Sequence, residues 1–151
     1  MTAPPVVVIR PVEARDYDAW RQLWTGYLTF YEASVSNRIY EITWQRLLSH
    51  DPQEFHGLLA VDESGRPVGL THYLFHRHCW YEANVLYLQD LFVDPAVRGT
   101  GAGRALIEAV YRAADEAGAA SVYWLTQEHN TTARQLYDRV ATVTPFIKYA
   151  R

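Results

Sequence analysis

The stretch that decides the fold is VRGTGAG, residues 97–103. An apolar run at 85–93 precedes it, and an amphipathic stretch at 104–117 follows it. This order predicts a strand, a tight glycine turn and a helix. Glycines let the backbone approach a ligand closely, and the first turn of a helix has free N–H groups at the positive end of its dipole. The turn therefore predicts a binding site for an anion, most often a phosphate.

The spacing of the glycines narrows the choice of phosphate ligand. Gly99, Gly101 and Gly103 form G-x-G-x-G, which differs from the dinucleotide fingerprint G-x-G-x-x-G. No Gly-Lys-Ser/Thr follows, which argues against a Walker A loop and hence against ATP or GTP as the ligand. Arg98 adds a forked cation at the mouth of the turn. Taken alone, the stretch is also compatible with an ordinary glycine-rich turn.

Three segments together resemble one family. The pattern Arg98-x-x-Gly101-x-Gly103 resembles the pyrophosphate loop of the GNAT superfamily of acetyl-CoA-dependent N-acetyltransferases. YLQDLFVDP at 87–95 is similar to the family's strand before that loop, and NTTARQLY at 130–137 to its N-x-x-A-x-x-L-Y helix. The resemblance implies an α/β (α+β) GNAT fold, with a mixed central sheet, about four flanking helices and a β-α-β core that binds coenzyme A. It also implies direct transfer of acetyl from acetyl-CoA to a primary amine in a ternary complex.

Composition bounds the class of protein. A length of 151 residues suits one domain, predicted over 1–151. The net charge is −3 without a Lys/Arg-rich run, which argues against nucleic-acid binding. Cys79 is the only cysteine, which fits a reducing compartment. Since neither a signal-peptide pattern nor about 18 consecutive apolar residues is present, we predict a cytoplasmic protein without a membrane span.

Local patterns predict alternating strands and helices. The predicted strands cover 6–12, 56–61, 67–75, 85–93, 121–127 and 143–149. The predicted helices cover 16–32, 43–48, 104–117 and 130–140. Asp16, Thr43 and Asn130 are the expected N-caps, and Gly118 is the expected stop of the third helix. Residues 85–127 then form a β-α-β unit with parallel strands and a right-handed crossover.

The resemblance assigns the coenzyme site to the second half of the chain. In the family the loop backbone holds the pyrophosphate, and the fourth strand bulges away from the fifth so that the pantetheine arm lies in the gap. A backbone N–H of the strand faces the thioester oxygen. The expected cofactor-binding residues are Leu91, Phe92, Val93, Arg98, Gly99, Thr100, Gly101, Ala102, Gly103, Arg104, Asn130, Ala133 and Tyr137.

Tyr137 is the expected general acid. A phenol has an ordinary pKa near 10, so it is protonated at neutral pH and can give its proton to a thiolate. The family places this tyrosine beside the coenzyme sulfur. From helical periodicity alone, an aromatic residue packed in the core is the better interpretation of Tyr137. The resemblance favours the catalytic role.

The general base is where the chain departs from the family pattern. Small histone- and polyamine-acetylating members show Leu-Glu-Asp, whereas this chain has Leu88-Gln89-Asp90. Gln89 is an amide and cannot act as a base, although it can contact water or substrate. Asp90 is a candidate base, but strand alternation places it on the face opposite Gln89. We expect Asp90 chiefly to satisfy backbone donors, as buried polar groups do.

The acceptor site is expected near the first two helices, as in the family. Tyr31, Glu32 and Glu41 are further candidates for the base or for contacts to substrate. Most aromatic residues of these helices should belong to the core, and one or two can contact an ammonium group. The resemblance is to members that acetylate polyamines, histone-type lysines or related small amines. A coenzyme A sensor without catalysis and a nucleotide-binding module are the alternatives.

Two further expectations concern metals and assembly. The run His76-Arg77-His78-Cys79 has metal-capable side chains, but no second ligand pair accompanies it, so a solvent-facing hairpin end is expected and no metal site. Family members of this size often dimerise. An exposed final strand at 143–149 is an edge that can pair, so we predict a homodimer.

Overall fold

The central sheet of the computed structural model, which describes residues 6–151, has five strands in the order β1-β2-β3-β4-β5. The strands are β1 (Val8–Pro11), β2 (His56–Val61), β3 (Pro67–His76), β4 (Val85–Val93) and β5 (Val122–Tyr123). Strands β1 to β4 pair with one another in antiparallel fashion, and β5 runs parallel to β4. The predicted mixed sheet is confirmed. The first five residues of the predicted domain lie outside the described part.

Four helices cover the sheet: α1 (Tyr17–Phe30), α2 (Asn37–Leu48), α3 (Ala102–Ala117) and α4 (Thr131–Val140). Side chains alternate across a strand, so Leu58 packs in the cluster around α3 and Leu59 in the cluster around α1 and α2. Burial on both faces explains the nearly continuous apolar runs of β2 and β3. Within residues 6–151, no helix is long and apolar enough to cross a membrane.

The α1 layer lies very close to β4 at one glycine. A Cβ added to Gly26 would meet Cζ and Cε2 of the Phe92 ring at 2.8 and 2.9 Å. Since real Cβ atoms do not approach other atoms so closely, only glycine fits at this position while Phe92 keeps its place. At Gly26 the backbone of α1 therefore packs directly against the Phe92 side chain near the end of β4.

The strands β4 and β5 separate after two residue pairs. Leu86 pairs with Val122 and Tyr87 with Tyr123, whereas β4 stays paired with β3 through Val93. A gap is left beside the second half of β4. The predicted fifth strand at 121–127 is therefore wrong in length, because residues 124–127 lose their ladder partner where β4 turns away.

A β-bulge in β4 changes which residues face each helix layer. Tyr73 pairs with Leu88 and His72 with Asp90, so Gln89 has no residue opposite it. The extra residue inverts the alternation of side chains along the strand. Leu88 and Leu91 both pack in the α3 cluster, and Asp90 is turned toward α1.

The other differences from prediction have local causes. α2 begins at Asn37 instead of Thr43, because Ser36 supplies an earlier cap: its Oγ accepts from the Ile39 N–H at 3.4 Å. α1 ends at Phe30, and Glu32 has a left-handed φ of 56°. α3 begins at Ala102, and the predicted stop at Gly118 is confirmed by its left-handed φ of 69°.

Residues 141–151 contain no strand, so the prediction for 143–149 is wrong. Val143, Phe146, Ile147 and Tyr149 are 71, 78, 77 and 89% exposed. A strand needs a hydrogen-bonded partner, and this segment pairs with no strand among the described residues. Pro145 also lacks the N–H that a ladder would use.

Candidate active site

The glycine turn bends the chain from β4 into α3. Gly99 and Gly101 have φ values of 85° and 86°, a left-handed conformation that residues with a Cβ rarely adopt. The Thr100 hydroxyl donates to the Val97 carbonyl at 2.7 Å and braces the turn. The Ala105 N–H already bonds the Gly101 carbonyl at 2.9 Å. The N–H groups at 102–104 precede the first helical bond, so they point out of the helix as donors for an anion.

Arg98 stands at the mouth of this turn. Its Cζ lies 5.9 Å from the Phe30 ring centroid and 6.0 Å from that of Phe92. Two aromatic faces therefore flank the guanidinium, which keeps its five donors for a ligand. Arg104, the last of the predicted loop residues, instead bonds Glu108 at 2.9 Å. Ala102 is 2% exposed and packs in the α3 cluster, so it can offer only backbone.

The gap between β4 and β5 has the form of a missing strand. Leu91, Phe92 and Val93 pair with β3 on one side and have no strand on the other within residues 6–151. In an antiparallel ladder, alternate residues direct both N–H and C=O to the same side. Part of this backbone therefore faces the gap, where an extended ligand with amide groups can pair with it.

Tyr137 is a residue of α4, the helix that follows β5 in the chain. Its ring is 5.4 Å from the Trp124 ring, edge to face, and Trp124 directly follows β5. Burial, with a smaller effect from the Tyr31 phenol, raises the pKa of Tyr137 to about 12. The side chain is thus a protonated donor throughout the neutral range. It also packs against the core, as its helical position predicts.

A cavity of about 410 Å³ lies between the end of α1 and the start of α4. Its lining residues are Phe30, Tyr31, Glu32, Gln127, His129, Asn130, Thr131 and Thr132. The structure therefore brings the predicted acceptor residues Tyr31 and Glu32 beside the predicted coenzyme residue Asn130. Glu41, the third acceptor candidate, is an exposed residue of α2 and is not among the lining residues.

Asn130 precedes α4 as predicted, but its side chain does not cap the helix. Its Nδ2 donates to the Thr126 hydroxyl at 3.4 Å, which ties the start of α4 to the chain after β5. Ala133, one turn into α4, is half-buried. The cap predicted from side-chain chemistry is therefore replaced by a bond across the loop.

Asp90 belongs to a buried network that sequence reasoning missed. Its Oδ2 lies 2.8 Å from Nδ1 of His72 and accepts from Nε1 of Trp24 at 3.3 Å. His72 and Asp90 are 3% and 6% exposed. The partners of this carboxylate are thus side chains and not the backbone donors that we expected. The register that pairs β3 with β4 across the bulge was the missing information.

The network fixes the proton positions on His72. Trp20 Nε1 donates to His72 Nε2 at 2.9 Å, and an indole nitrogen can only donate. Nε2 must therefore be the acceptor, and the ring proton lies on Nδ1, where it is donated to Asp90. The Thr71 hydroxyl bonds the Asp90 carbonyl at 2.8 Å and holds the backbone there.

Tyrosines extend this network toward the cavity. Burial, and then the Asp90 carboxylate, raise the pKa of Tyr27 well above its ordinary value. The Tyr27 ring lies 5.0 Å from that of Tyr31, which lines the cavity. Gln89 is exposed at the bulge and takes no part in the network. Tyr27 thus lies near both the Asp90 carboxylate and Tyr31, which is a lining residue of the cavity.

Comparison with known proteins agrees with this geometry. A model described as the acetyltransferase (GNAT) family matches residues 17–141. The chain belongs to the GNAT family. This GNAT chain is 38% identical over 147 residues to the D-amino-acid N-acetyltransferase HPA3 of Saccharomyces cerevisiae, covering 96% of the chain and 90% of that protein. It is 32% identical over 133 residues to the uncharacterized N-acetyltransferase YhfO of Bacillus subtilis, covering 87% and 86%.

A solved structure shows the same GNAT fold. The aminoglycoside acetyltransferase AAC(6')-Iy, in complex with a bisubstrate analogue of coenzyme A, superposes with a TM-score of 0.83 at 19% identity, covering 97% of each chain. This protein is thus a GNAT N-acetyltransferase, with acetyl-CoA as its acetyl donor. The turn, the free helix N–H groups and the strand-wide gap fit a ligand with a pyrophosphate and an amide-bearing arm. Among the described residues, no three His, Cys, Asp or Glu side chains cluster as metal ligands.

Proposed function

We propose that this enzyme acetylates the amine of a small molecule, and that free D-amino acids are the acceptor class to test first. The observation that carries the proposal is the cavity of about 410 Å³ at the start of α4, which Tyr31, Glu32 and Asn130 help to line and whose size suits a small acceptor. The D-amino-acid choice rests on the 38% identity to the yeast enzyme. Polyamines and lysine side chains, which the sequence resemblance favours, are the competing acceptors.

The coenzyme would be held mainly by backbone. The N–H groups from Gly99 to Arg104 and the Arg98 guanidinium would bind the pyrophosphate, since both offer donors to an anion. Main-chain groups of Leu91, Phe92 and Val93 that face the gap would pair with the pantetheine arm. One of these N–H groups would bind the thioester oxygen and stabilise its developing negative charge.

In the transfer itself, the amine nitrogen attacks the thioester carbonyl carbon. The new N–C bond forms as the C–S bond breaks, and the electron pair of that bond leaves on sulfur. Tyr137 would donate a hydrogen bond and then its proton to the thiolate. The attacking nitrogen is positively charged once the new bond has formed, and its second proton would return to the phenolate as the neutral amide forms. Both substrates are bound together, so no acetylated side chain is formed.

The amine arrives as an ammonium and must first lose a proton. Tyr27 would accept this proton on its oxygen while its own proton passes to Asp90. Support comes from the electrostatic coupling of Tyr27 to Asp90 and from the donors that hold one carboxylate oxygen. His72 would act as a positioning residue, because it orients the carboxylate without touching the acceptor. Gln89 would contact only water or substrate at the rim.

The proposed acid is tested by thiol release from acetyl-CoA with a panel of amines. The panel contains matched D- and L-amino acids, spermidine, a lysine-bearing peptide and an aminoglycoside. We expect turnover with the D-amino acids, and a fall in kcat of roughly 10²–10⁴-fold in Tyr137→Phe. The exposed Tyr81→Phe serves as the matched control. Silence across the panel while acetyl-CoA still binds would favour the coenzyme A sensor over the enzyme proposed here.

The proposed proton path has its own signature. Asp90→Asn and Tyr27→Phe should each lower kcat at neutral pH by roughly 10²-fold or more, with the KM for acetyl-CoA unchanged. Activity should recover as the pH rises, because the free amine then arrives already deprotonated. Asp138→Asn, on the exposed side of α4, is the control. If the folded Asp90→Asn enzyme is as active as the native enzyme at every pH, then Asp90 has only a structural role.

The cellular compartment and the domain organisation of the enzyme are also proposals. We infer a cytoplasmic protein that folds as one domain over 1–151, supported by a free exposed Cys79 and by two helix layers that share one sheet. Limited proteolysis that releases a stable fragment would contradict the single domain. Cell fractionation tests the compartment.

A further inference from the structure

His76 and Tyr123 form a hydrogen bond between two strands that are not neighbours. His76 is the last residue of β3 and Tyr123 is the last residue of β5, and β4 lies between these strands. The two side chains reach across β4, so that Nε2 of His76 lies 2.7 Å from the Tyr123 hydroxyl oxygen. This bond ties the edge strand of the sheet to its interior.

The imidazole is held in one orientation by its two partners. Nδ1 of His76 lies 2.8 Å from the Arg77 carbonyl oxygen. Because a carbonyl can only accept, Nδ1 carries the ring proton, and Nε2 of the neutral imidazole accepts from the Tyr123 hydroxyl. The Tyr123 ring also meets the His76 ring edge to face at 5.8 Å and stacks on the Tyr87 ring at 4.9 Å. Each of the strands β3, β4 and β5 thus contributes one ring to the contact.

The backbone alone anchors β5 weakly. β5 pairs with β4 at only two positions, Leu86 with Val122 and Tyr87 with Tyr123. Within residues 6–151, no strand lies on its outer side. An edge strand of two residues opens easily, because few contacts hold it. The side-chain bond to β3 therefore adds a constraint that the ladder does not supply.

Tyr123 lies where the gap beside β4 begins. The strands separate directly after the pair of Tyr87 with Tyr123, while β4 stays paired with β3 through Val93. The position of Tyr123 therefore determines the width of the gap at its closed end. Trp124, the next residue, packs on Tyr137 at 5.4 Å, so the proposed acid also depends on where β5 lies.

We propose that the bond between His76 and Tyr123 is a clasp that keeps the gap at the width the pantetheine arm requires. His76 is then a positioning residue, because it acts through Tyr123 and not by touching the coenzyme. The inference rests on the coenzyme site proposed above. A gap that is already formed lowers the cost of ordering the protein when the arm binds.

Sequence reasoning treated His76 differently. The run at 76–79 predicted a solvent-facing hairpin end, since no second pair of metal ligands accompanies it. Nothing in the sequence joins this histidine to a tyrosine 47 positions away. The contact depends on the order of the strands, which brings the ends of β3 and β5 to the same side of the molecule.

The two halves of coenzyme A allow a direct test. Coenzyme A consists of 3′-phospho-ADP joined to the pantetheine arm, and the clasp should matter only for the arm. Isothermal titration of the full chain should show that His76→Ala and Tyr123→Phe each bind coenzyme A roughly 3–10-fold more weakly, as expected for the loss of one neutral hydrogen bond. The affinity for 3′-phospho-ADP should stay unchanged.

Matched variants separate the clasp from other effects. His78→Ala and Tyr81→Phe, two positions in the loop after β3, are the controls and should bind both ligands normally. His76→Gln should restore the binding of coenzyme A, because an amide oxygen can accept from the Tyr123 hydroxyl. The double variant of His76→Ala with Tyr123→Phe should bind no more weakly than the weaker single variant, since both remove the same bond. Circular dichroism confirms that each variant folds.

Three results would overturn the clasp. Unchanged binding of coenzyme A in both single variants would show that the bond does not position β5. An equal loss for 3′-phospho-ADP would indicate a general loosening of the fold, and additive losses in the double variant would mean that the two residues act separately.

Arg98→Ala distinguishes the clasp from the site on which it rests. If Arg98→Ala weakens both ligands while His76→Ala weakens neither, only the clasp is wrong. If Arg98→Ala weakens neither ligand, the proposed coenzyme site itself is wrong, and the clasp proposal is overturned with it.

Discussion

The proposed coenzyme side and the proposed acceptor side of this enzyme differ in the groups that they offer to a ligand. The coenzyme side, at 88–104, offers backbone N–H groups from a glycine turn, a helix start and a strand edge. The proposed acceptor side offers side chains: Trp24 and His72 bond Asp90, and Trp20 bonds His72. Tyr27 lies close enough for the Asp90 carboxylate to raise its pKa. A backbone site can be encoded in a few consecutive residues. A side-chain network depends on residues up to 66 positions apart.

The largest expected effect is a loss of folding stability when a buried tryptophan of the proposed acceptor side is removed. Trp20 is fully buried, stacks on Trp24 at 5.4 Å and bonds His72. Trp20→Ala should cost about 3–5 kcal/mol of folding free energy, because it leaves a large cavity and an unsatisfied imidazole. Urea unfolding measures the loss. Trp80→Ala, at a 74% exposed indole, is the matched control and should be nearly neutral. Equal effects at the two positions would show that burial of Trp20 is not what stabilises this side.

The second effect is confined to the coenzyme side. Arg98→Ala should weaken acetyl-CoA binding by about 1.5–3 kcal/mol, as expected for the loss of a charge-assisted contact to phosphate. The KM for acetyl-CoA should rise while thermal stability changes little, since among the described residues Arg98 makes no ion pair and only two long contacts to aromatic rings. Isothermal titration gives the affinity. Arg104→Ala, whose side chain is paired with Glu108, is the comparison. If both variants bind alike, Arg98 does not hold the pyrophosphate.

The smallest effect concerns acid stability at the start of α1. A bidentate bond from Arg10, at 2.7 and 2.9 Å, holds the pKa of Asp16 below its ordinary value, although burial opposes this. Because the folded pKa is the lower one, the pair stabilises the protein above about pH 4, and this contribution is lost as the pH falls through the folded pKa. We expect roughly 1–2 kcal/mol after solvent screening.

This acid effect can be measured by urea unfolding between pH 7 and pH 3. Asp16→Asn should be less stable than the native chain at pH 7, and the two should converge at the acid end. Asp18→Asn in the first turn of α1 is the control. Curves that stay parallel across the pH range would mean that Asp16 contributes through packing and not through its charge.

The same contrast explains what the sequence could predict. The turn at 97–103, the strand before it and the helix after it were predicted because their signals are local: glycine spacing, an apolar run and helical periodicity. The role of Asp90 could not be derived, because one unopposed residue, Gln89, inverts the strand faces. The sequence also does not show that the N-cap of α2 is Ser36 and not Thr43. The C-terminal segment at 141–151 has the residue pattern of a strand, but the pattern does not show whether a neighbouring strand is available to pair with it.

The contact between Gly26 and Phe92 restricts how this enzyme can change over generations. A methyl group at position 26 would overlap the Phe92 ring at 2.8 Å, so an alanine there is blocked while the phenylalanine remains. Either the partly exposed Phe92 ring must swing away or a smaller residue must replace it, and both changes occur beside the guanidinium of Arg98. A new side chain at position 26 of α1 therefore cannot be gained without also moving part of β4. One carbon atom couples the two proposed halves of the site.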